Sequence, residues 1–170
     1  SVTLRDAGDR RAEDGFSAGG AHVADLPDAE EVGRTALHRT LSRLDSEKGP
    51  TVKTAMVVDS RAAASLIGRL MRPANAGSVQ QGRSFWAPLI GEQAFSDKLT
   101  IIDDPLIKRG LASRHYDEEG ISARALPIVE NGVVKNIYVD TYYGRKGGMT
   151  PTTGSPSNRR IVLGEHSLQQ

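Results

Sequence analysis

Asn131–Gly132 lies between two β-rich runs, "ARALPIVE" and "VVKNIYVD", and constrains the fold more than any other local feature. A type I′ turn needs positive φ at both central residues, which Asn and Gly tolerate, and its twist suits antiparallel strands. The pattern predicts a hairpin at residues 123–140 and, with it, a largely antiparallel sheet.

Helices are predicted around that sheet. Asp28 is placed to cap a helix, with Glu31 three residues on as in a capping box, and Val32, Ala36, Leu37, Leu41 and Leu44 recur on one face. Ser60 is placed to cap a second helix, whose stripe is Ala63, Leu66, Ile67, Leu70 and Met71 and which Pro73 ends. Between the two, "SEKGP" reads as a boundary and "TAMVVD" as a strand buried at residues 55–58. The first 27 residues read as a polar strand pair: Val2 and Leu4 alternate with polar neighbours, "DAGD" turns, and residues 13–20 return. "PANAGS" reads as loop and "KLTIIDDP" as a short strand. "YYGRKGGMTPTTGSPSNRR" is rich in Gly, Ser, Thr and Pro and reads as a long loop or tail. The expected class is α+β.

Composition excludes several functions. The 170 residues carry 22 basic and 21 acidic side chains, a net charge of +1, which leaves no overall electrostatic footprint for nucleic acid or an anionic membrane. Without cysteine there are no disulfides and no thiolate metal sites. No apolar run reaches the roughly 18 residues of a membrane span, and the polar start reads as no signal peptide. The expectation is a cytoplasmic protein that binds neither membrane nor nucleic acid.

"SRHYDEEGIS", residues 113–122, is the most chemical-looking stretch. A metal site there meets a geometric objection: neighbours on a strand point to opposite faces, and on a helix they lie about 100° apart, so His115, Tyr116, Asp117, Glu118 and Glu119 cannot converge on one ion. Calcium-loop spacing is absent. A catalytic carboxylate pair needs environments that set two pKa values apart, and nothing in the sequence supplies them. A solvated acidic turn leading into the hairpin is the third reading. Among the other histidines, His22 and His166 sit in polar terminal segments and His38 on the charged side of its helix, with no i, i+4 pair. Ser84 and Ser155 have glycine on one side only and do not make nucleophile elbows. "RKGGMTPTTGS" lacks the spacing of a phosphate-binding P-loop. Phe85 and Trp86, with Leu89 and Ile90, read either as local core or as an apolar contact surface.

The order of four blocks is more specific. "VVDSRAAASLIGRLM", "GRSFWAPLIGEQAFSDKLTIIDDP", "YDEEGISARALPIVENGVVKNIYVD" and "GRKGGMTPTTGS" closely resemble the TldD/PmbA family, over residues 30–160 or so. Members of that family were named modulators of DNA gyrase and act in peptide maturation, as a heterodimeric protease that trims small or unfolded peptides. They are well over twice this length. The resemblance therefore implies a middle portion of a larger two-domain fold: residues 1–50 as the end of an N-terminal region, a strand pair plus helix, and 51–170 as the first part of the C-terminal domain.

In the family, one subunit type carries H-E-x-x-x-H on the helix after the buried strand. Its histidines hold zinc and its glutamate acts on the attacking water. Here the matching residues are Gly68, Arg69, Leu70, Met71, Arg72 and Pro73. Gly68 and Pro73 have no ligand to offer, and Arg69 is a permanent cation in place of the base. The resemblance thus implies the zinc-less PmbA, or TldE, type, with no metal, no cofactor and no catalytic residue of its own. It implies a zinc-containing TldD-type subunit or a second copy as partner, and peptides as substrates. Asp117, Glu118, Glu119 and Gly120 occupy a position that both subunit types share, which favours turn-shaping or the wall of a substrate groove or dimer contact; Phe85 and Trp86 are further contact candidates. Two other functions stay open at this point: a peptide-binding module acting without a protease, and a self-sufficient peptidase with an unrecognised site.

Overall fold

Residues 1–5 and 11–164 are described by the computed structural model, which divides into two units, Ser1–Met56 and Val57–Gln170.

In the first unit, β1 (Val2–Arg5) and β2 (Arg11–Asp14) pair antiparallel, Val2 opposite Asp14 and Arg5 opposite Arg11. The return strand is thus earlier and shorter than the span 13–20; the "DAGD" turn lies outside the described residues. Helix α1 (Ala29–Leu41) starts where the sequence places it, with the Asp28 carboxylate accepting the Glu31 N–H at 2.7 Å. Ala36 and Thr40 are its buried residues, and the Thr40 hydroxyl bonds the Ala36 carbonyl at 2.8 Å. Leu37 and Leu41, expected on the buried face, stay 42% and 48% exposed, because a two-stranded ribbon covers only a narrow strip of a helix.

The second unit holds a four-stranded antiparallel sheet in the order β5-β4-β3-β6, made of β3 (Ile101–Asp103), β4 (Leu126–Glu130), β5 (Val133–Val134) and β6 (Arg159–Ile161). The hairpin turns at Asn131 and Gly132, with φ of +47° and +80°. Its second arm is shorter than the β-rich run suggests. Pro127 has no N–H to give the ladder, and its carbonyl is instead taken by the Asn136 side chain at 2.7 Å. Helices α2 (Ser60–Met71), α3 (Ala76–Gln80) and α4 (Thr141–Gly147) complete the unit. The core joins Met71 of α2 to Trp86, Ile101, Ile128, Val129 and Val134.

Four sequence expectations are corrected here. Residues 55–58 form no strand, and Met56 and Val57 are 76% and 78% exposed; an apolar run becomes a strand only beside a ladder partner, and none is provided among the described residues. Helix α2 is capped by Asp59, not Ser60, through its carboxylate and the Arg61 N–H at 2.8 Å. α3 begins within "PANAGS", because Asn75 accepts the Ser78 N–H at 2.8 Å as an N-cap. The supposed loop after residue 140 holds α4 and β6. Asp140 caps α4 through the Tyr143 N–H at 2.6 Å, and Gly148, at φ +66°, closes it in the left-handed conformation.

Candidate functional site

The last turn of α2 carries Gly68 and Arg69, with Arg72 as its C-cap, and it faces two segments that long-range pairing brings alongside. Residues 74–76 run beside Tyr138, joined by Tyr138 N–H to Ala74 O at 3.0 Å and Ala76 N–H to Tyr138 O at 2.8 Å. The segment 152–158 is tied down more heavily. Thr152 bonds Val139 in both directions, its N–H to the Val139 carbonyl at 2.9 Å and its hydroxyl from the Val139 N–H at 3.0 Å. Arg114 reaches the Ser155 hydroxyl at 3.0 Å and the Thr153 hydroxyl at 3.2 Å. Asp103, on β3, accepts the Ser157 N–H at 2.8 Å and the Ser157 hydroxyl at 3.0 Å.

Between these walls lies a groove of about 660 Å³, lined among others by Gly68, Arg69, Arg72, Tyr138, Pro156 and Arg159. It is cationic. Tyr138 is 4% exposed and its hydroxyl is buried with no hydrogen-bond partner. Burial, and then the charge of Asp103, push the phenol well above the ordinary tyrosine range against the opposing pull of Arg159 and Arg114, so the group is a neutral donor. Burial likewise raises Asp103, opposed by its Ser157 bonds and by Arg114 and Arg159.

Two of the three residues at the zinc-motif positions, Gly68 and Arg69, line this groove. A side chain at Gly68 would meet open space. The Pro73 carbonyl accepts the Ser84 hydroxyl at 2.6 Å. This donor set does not fit zinc: it offers no imidazole, thiolate or carboxylate, and the three guanidinium groups of Arg69, Arg72 and Arg159 line the groove. Among the described residues no group of three or more His, Cys, Asp or Glu is placed to hold a metal.

The acidic run divides its labour. Asp117 is 6% exposed, and its carboxylate accepts the N–H groups of Ile121 at 2.9 Å, Glu119 at 3.0 Å and Gly154 at 3.3 Å. Burial alone would raise its pKa, but these three bonds and the Thr153 hydroxyl outweigh it and leave the group below its ordinary value. Glu119 reaches the start of α4, taking the Thr141 N–H at 2.8 Å and the Thr141 hydroxyl at 2.6 Å. Gly120 turns the chain at φ +78°. Glu118 and His115 are exposed.

Asp117 is therefore expected to matter for stability. Asp117→Ala leaves three N–H groups without their acceptor and should cost on the order of 2–4 kcal/mol at neutral pH. The pH dependence has a definite sign. A carboxylate held below its unfolded value contributes stability above that value and loses it as pH falls toward the folded one. The gap between the native protein and Asp117→Asn, read from urea midpoints, should be full at pH 7 and close as pH drops below about 4. A gap that widens in acid would contradict the assignment.

Phe85 and Trp86 part company. Phe85 is 51% exposed, while Trp86 is fully buried, its indole N–H donating to the Leu70 carbonyl at 2.9 Å and its ring 5.7 Å from that of Phe95. Trp86 belongs to the core of its own unit, because the chain around 3-10 residues Ala87–Leu89 tucks the indole under α2. Sequence reasoning missed Arg72, Tyr138 and Arg159. Arg72 was within reach, three residues from Arg69 on one helical face. Tyr138 and Arg159 had no local signal, since sheet topology alone brings them to α2.

Residues 51–169 match the family model described as the PmbA/TldA metallopeptidase C-terminal domain. The chain is 33% identical over 164 residues to a metalloprotease PmbA homolog of Buchnera aphidicola, covering 96% of this chain and 36% of that protein. It is 32% identical over 171 residues to metalloprotease PmbA of Escherichia coli O157:H7, covering 99% of this chain and 38% of the relative. A crystal structure from Bacteroides thetaiotaomicron, of a protein put forward as a modulator of DNA gyrase, superposes with a TM-score of 0.84 at 29% identity, over 95% of this chain and 37% of that one. The chain thus spans little more than a third of the length of these relatives.

Proposed function

This chain belongs to the PmbA/TldD metallopeptidase family, and on that premise we propose that it serves as the non-catalytic subunit of a heterodimeric zinc protease acting on small or unfolded peptides. The observation that carries the reading is the groove beside α2. Where the resemblance places H-E-x-x-x-H, this chain has Gly68, Arg69 and Pro73, and the groove there presents arginines in place of ligands. A dication, and the water it would activate, have no donors at that position. What the segment retains is shape: a walled groove, rigidly hydrogen-bonded along residues 152–158, that contributes to a substrate channel while a zinc-bearing TldD-type partner supplies the chemistry. No helix among the described residues is long and apolar enough to cross a membrane.

The test compares three samples on an unstructured peptide: the chain alone, a family member with an intact H-E-x-x-x-H motif alone, and the two mixed. The chain alone should cleave nothing, with or without chelator. It should co-elute with the zinc subunit and raise or redirect that subunit's cleavage. Chelator-sensitive cleavage by the chain alone would sink the reading, as would failure of the two proteins to associate.

A further inference from the structure

We propose that the groove beside α2 is a receptor for the free carboxylate end of a peptide. Its lining is cationic: Arg69, Arg72 and Arg159 line it and no carboxylate does, while Asp103, whose charge reaches Arg159 and Tyr138, is buried and outside the lining. The neighbouring acids are committed elsewhere, Asp103 to Ser157 and Glu119 to Thr141. Guanidinium groups bind carboxylates through paired, charge-assisted N–H bonds.

A second observation is independent of the arginines. Tyr138 lines the same groove, and its hydroxyl is a buried polar group without a partner. Such a group costs free energy unless something meets it, and native interiors rarely keep one idle. A neutral phenol that holds its proton is a donor, and a carboxylate oxygen is the acceptor that also satisfies the arginines.

Size and lining select a peptide end over a bare ion. At about 660 Å³ the groove lies within the range of about 300–1,000 Å³ that encloses small-molecule ligands, and the exposed Pro156 supplies apolar surface for a side chain. The choice of a peptide as bearer of the carboxylate rests on the function proposed above; the carboxylate itself rests on the groove.

Fluorescence anisotropy on the purified full chain tests this with a labelled tetrapeptide as free acid, the same peptide amidated at its C-terminus, and inorganic phosphate as competitor. The free acid should bind at least roughly tenfold more tightly than the amide, the loss expected when charge-assisted bonds are removed. Arg69→Gln with Arg72→Gln should abolish that preference. Tyr138→Phe should weaken the free acid while leaving the thermal midpoint unchanged or higher, because it removes an unpaired buried hydroxyl. An amide that binds as well as the acid overturns the inference, and so does displacement by phosphate at concentrations equal to the peptide's own. The same holds for binding unaffected by the double variant. If the acid fails to bind while the chain still associates with a zinc subunit, the inference falls and the proposed function stands.

Discussion

Trp86→Ala is expected to lower the stability of the unit Val57–Gln170 by about 3–5 kcal/mol, the range for truncating a buried aromatic. Trp86 is wholly enclosed, with Phe95 5.7 Å and Phe85 5.9 Å from its ring. Alanine leaves a cavity that the surrounding sheet and α2 cannot close fully, and the transfer term adds to it. There is also a polar loss. The indole N–H caps the Leu70 carbonyl at 2.9 Å, one of the last carbonyls of α2, which have no partner further along the helix. Against a total stability of about 5–15 kcal/mol for a domain, this puts the variant near or beyond unfolding at physiological temperature. Urea denaturation followed by circular dichroism reads the effect. Phe85→Ala, on the half-exposed neighbour, is the control and should cost less than about 1 kcal/mol. Equal, small shifts in both variants would return Trp86 to the surface role that sequence alone left open.

Gly132→Val should cost on the order of 3–5 kcal/mol by a different route. Gly132 sits at φ +80°, where a β-branched residue is strained by about 1–3 kcal/mol. The segment around residues 93–99 wraps the turn: the Gly132 N–H donates to the Leu99 carbonyl at 2.9 Å, and the Gly132 carbonyl accepts from Ala94 and Phe95, each at 3.1 Å. A Cβ at this position would collide with the backbone carbonyls of Phe95 and Ser96 and with the Gln93 side chain. Two of those obstacles are backbone and cannot swing aside, so overpacking adds about 1–3 kcal/mol. The collision involves Cβ itself, so Gly132→Ala should show most of the loss. Gly120→Ala separates the two contributions. It has φ +78° but open space at its Cβ, and should show the conformational strain alone. Thermal midpoints for the three variants should rank Val below Ala at position 132, and both below Gly120→Ala. A Gly132→Ala midpoint equal to that of Gly120→Ala would mean the wrapped turn is misplaced.

These two residues mark where the sequence was legible. The turn at Asn131–Gly132 is a local matter of allowed φ, and the α1 cap at Asp28 is a matter of one hydrogen bond, so both were readable in place. Trp86 was not, because its exposure is set by whether a distant helix covers it. The apolar run at residues 55–58 has strand composition but no ladder partner among the described residues. The caps Asp140 and Gly148 of α4 were in plain view yet masked by a Gly-, Ser- and Thr-rich surrounding that reads as loop. β6 carries two arginines and becomes a strand only because Ile161 finds Ile101 across the sheet. The site divides the same way: Gly68 and Arg69 were identified through the family motif, whereas Tyr138 and Arg159 reach the groove through topology.

Metal content tests the central claim most directly. The purified chain, equilibrated with excess zinc and then dialysed, should retain none in stoichiometric amount by elemental analysis, because Gly68, Arg69 and Pro73 offer no ligands where the family motif binds its ion. Retention of about one zinc per chain, released by chelator with a loss of stability, would contradict the account and make the residues around His115 the place to look.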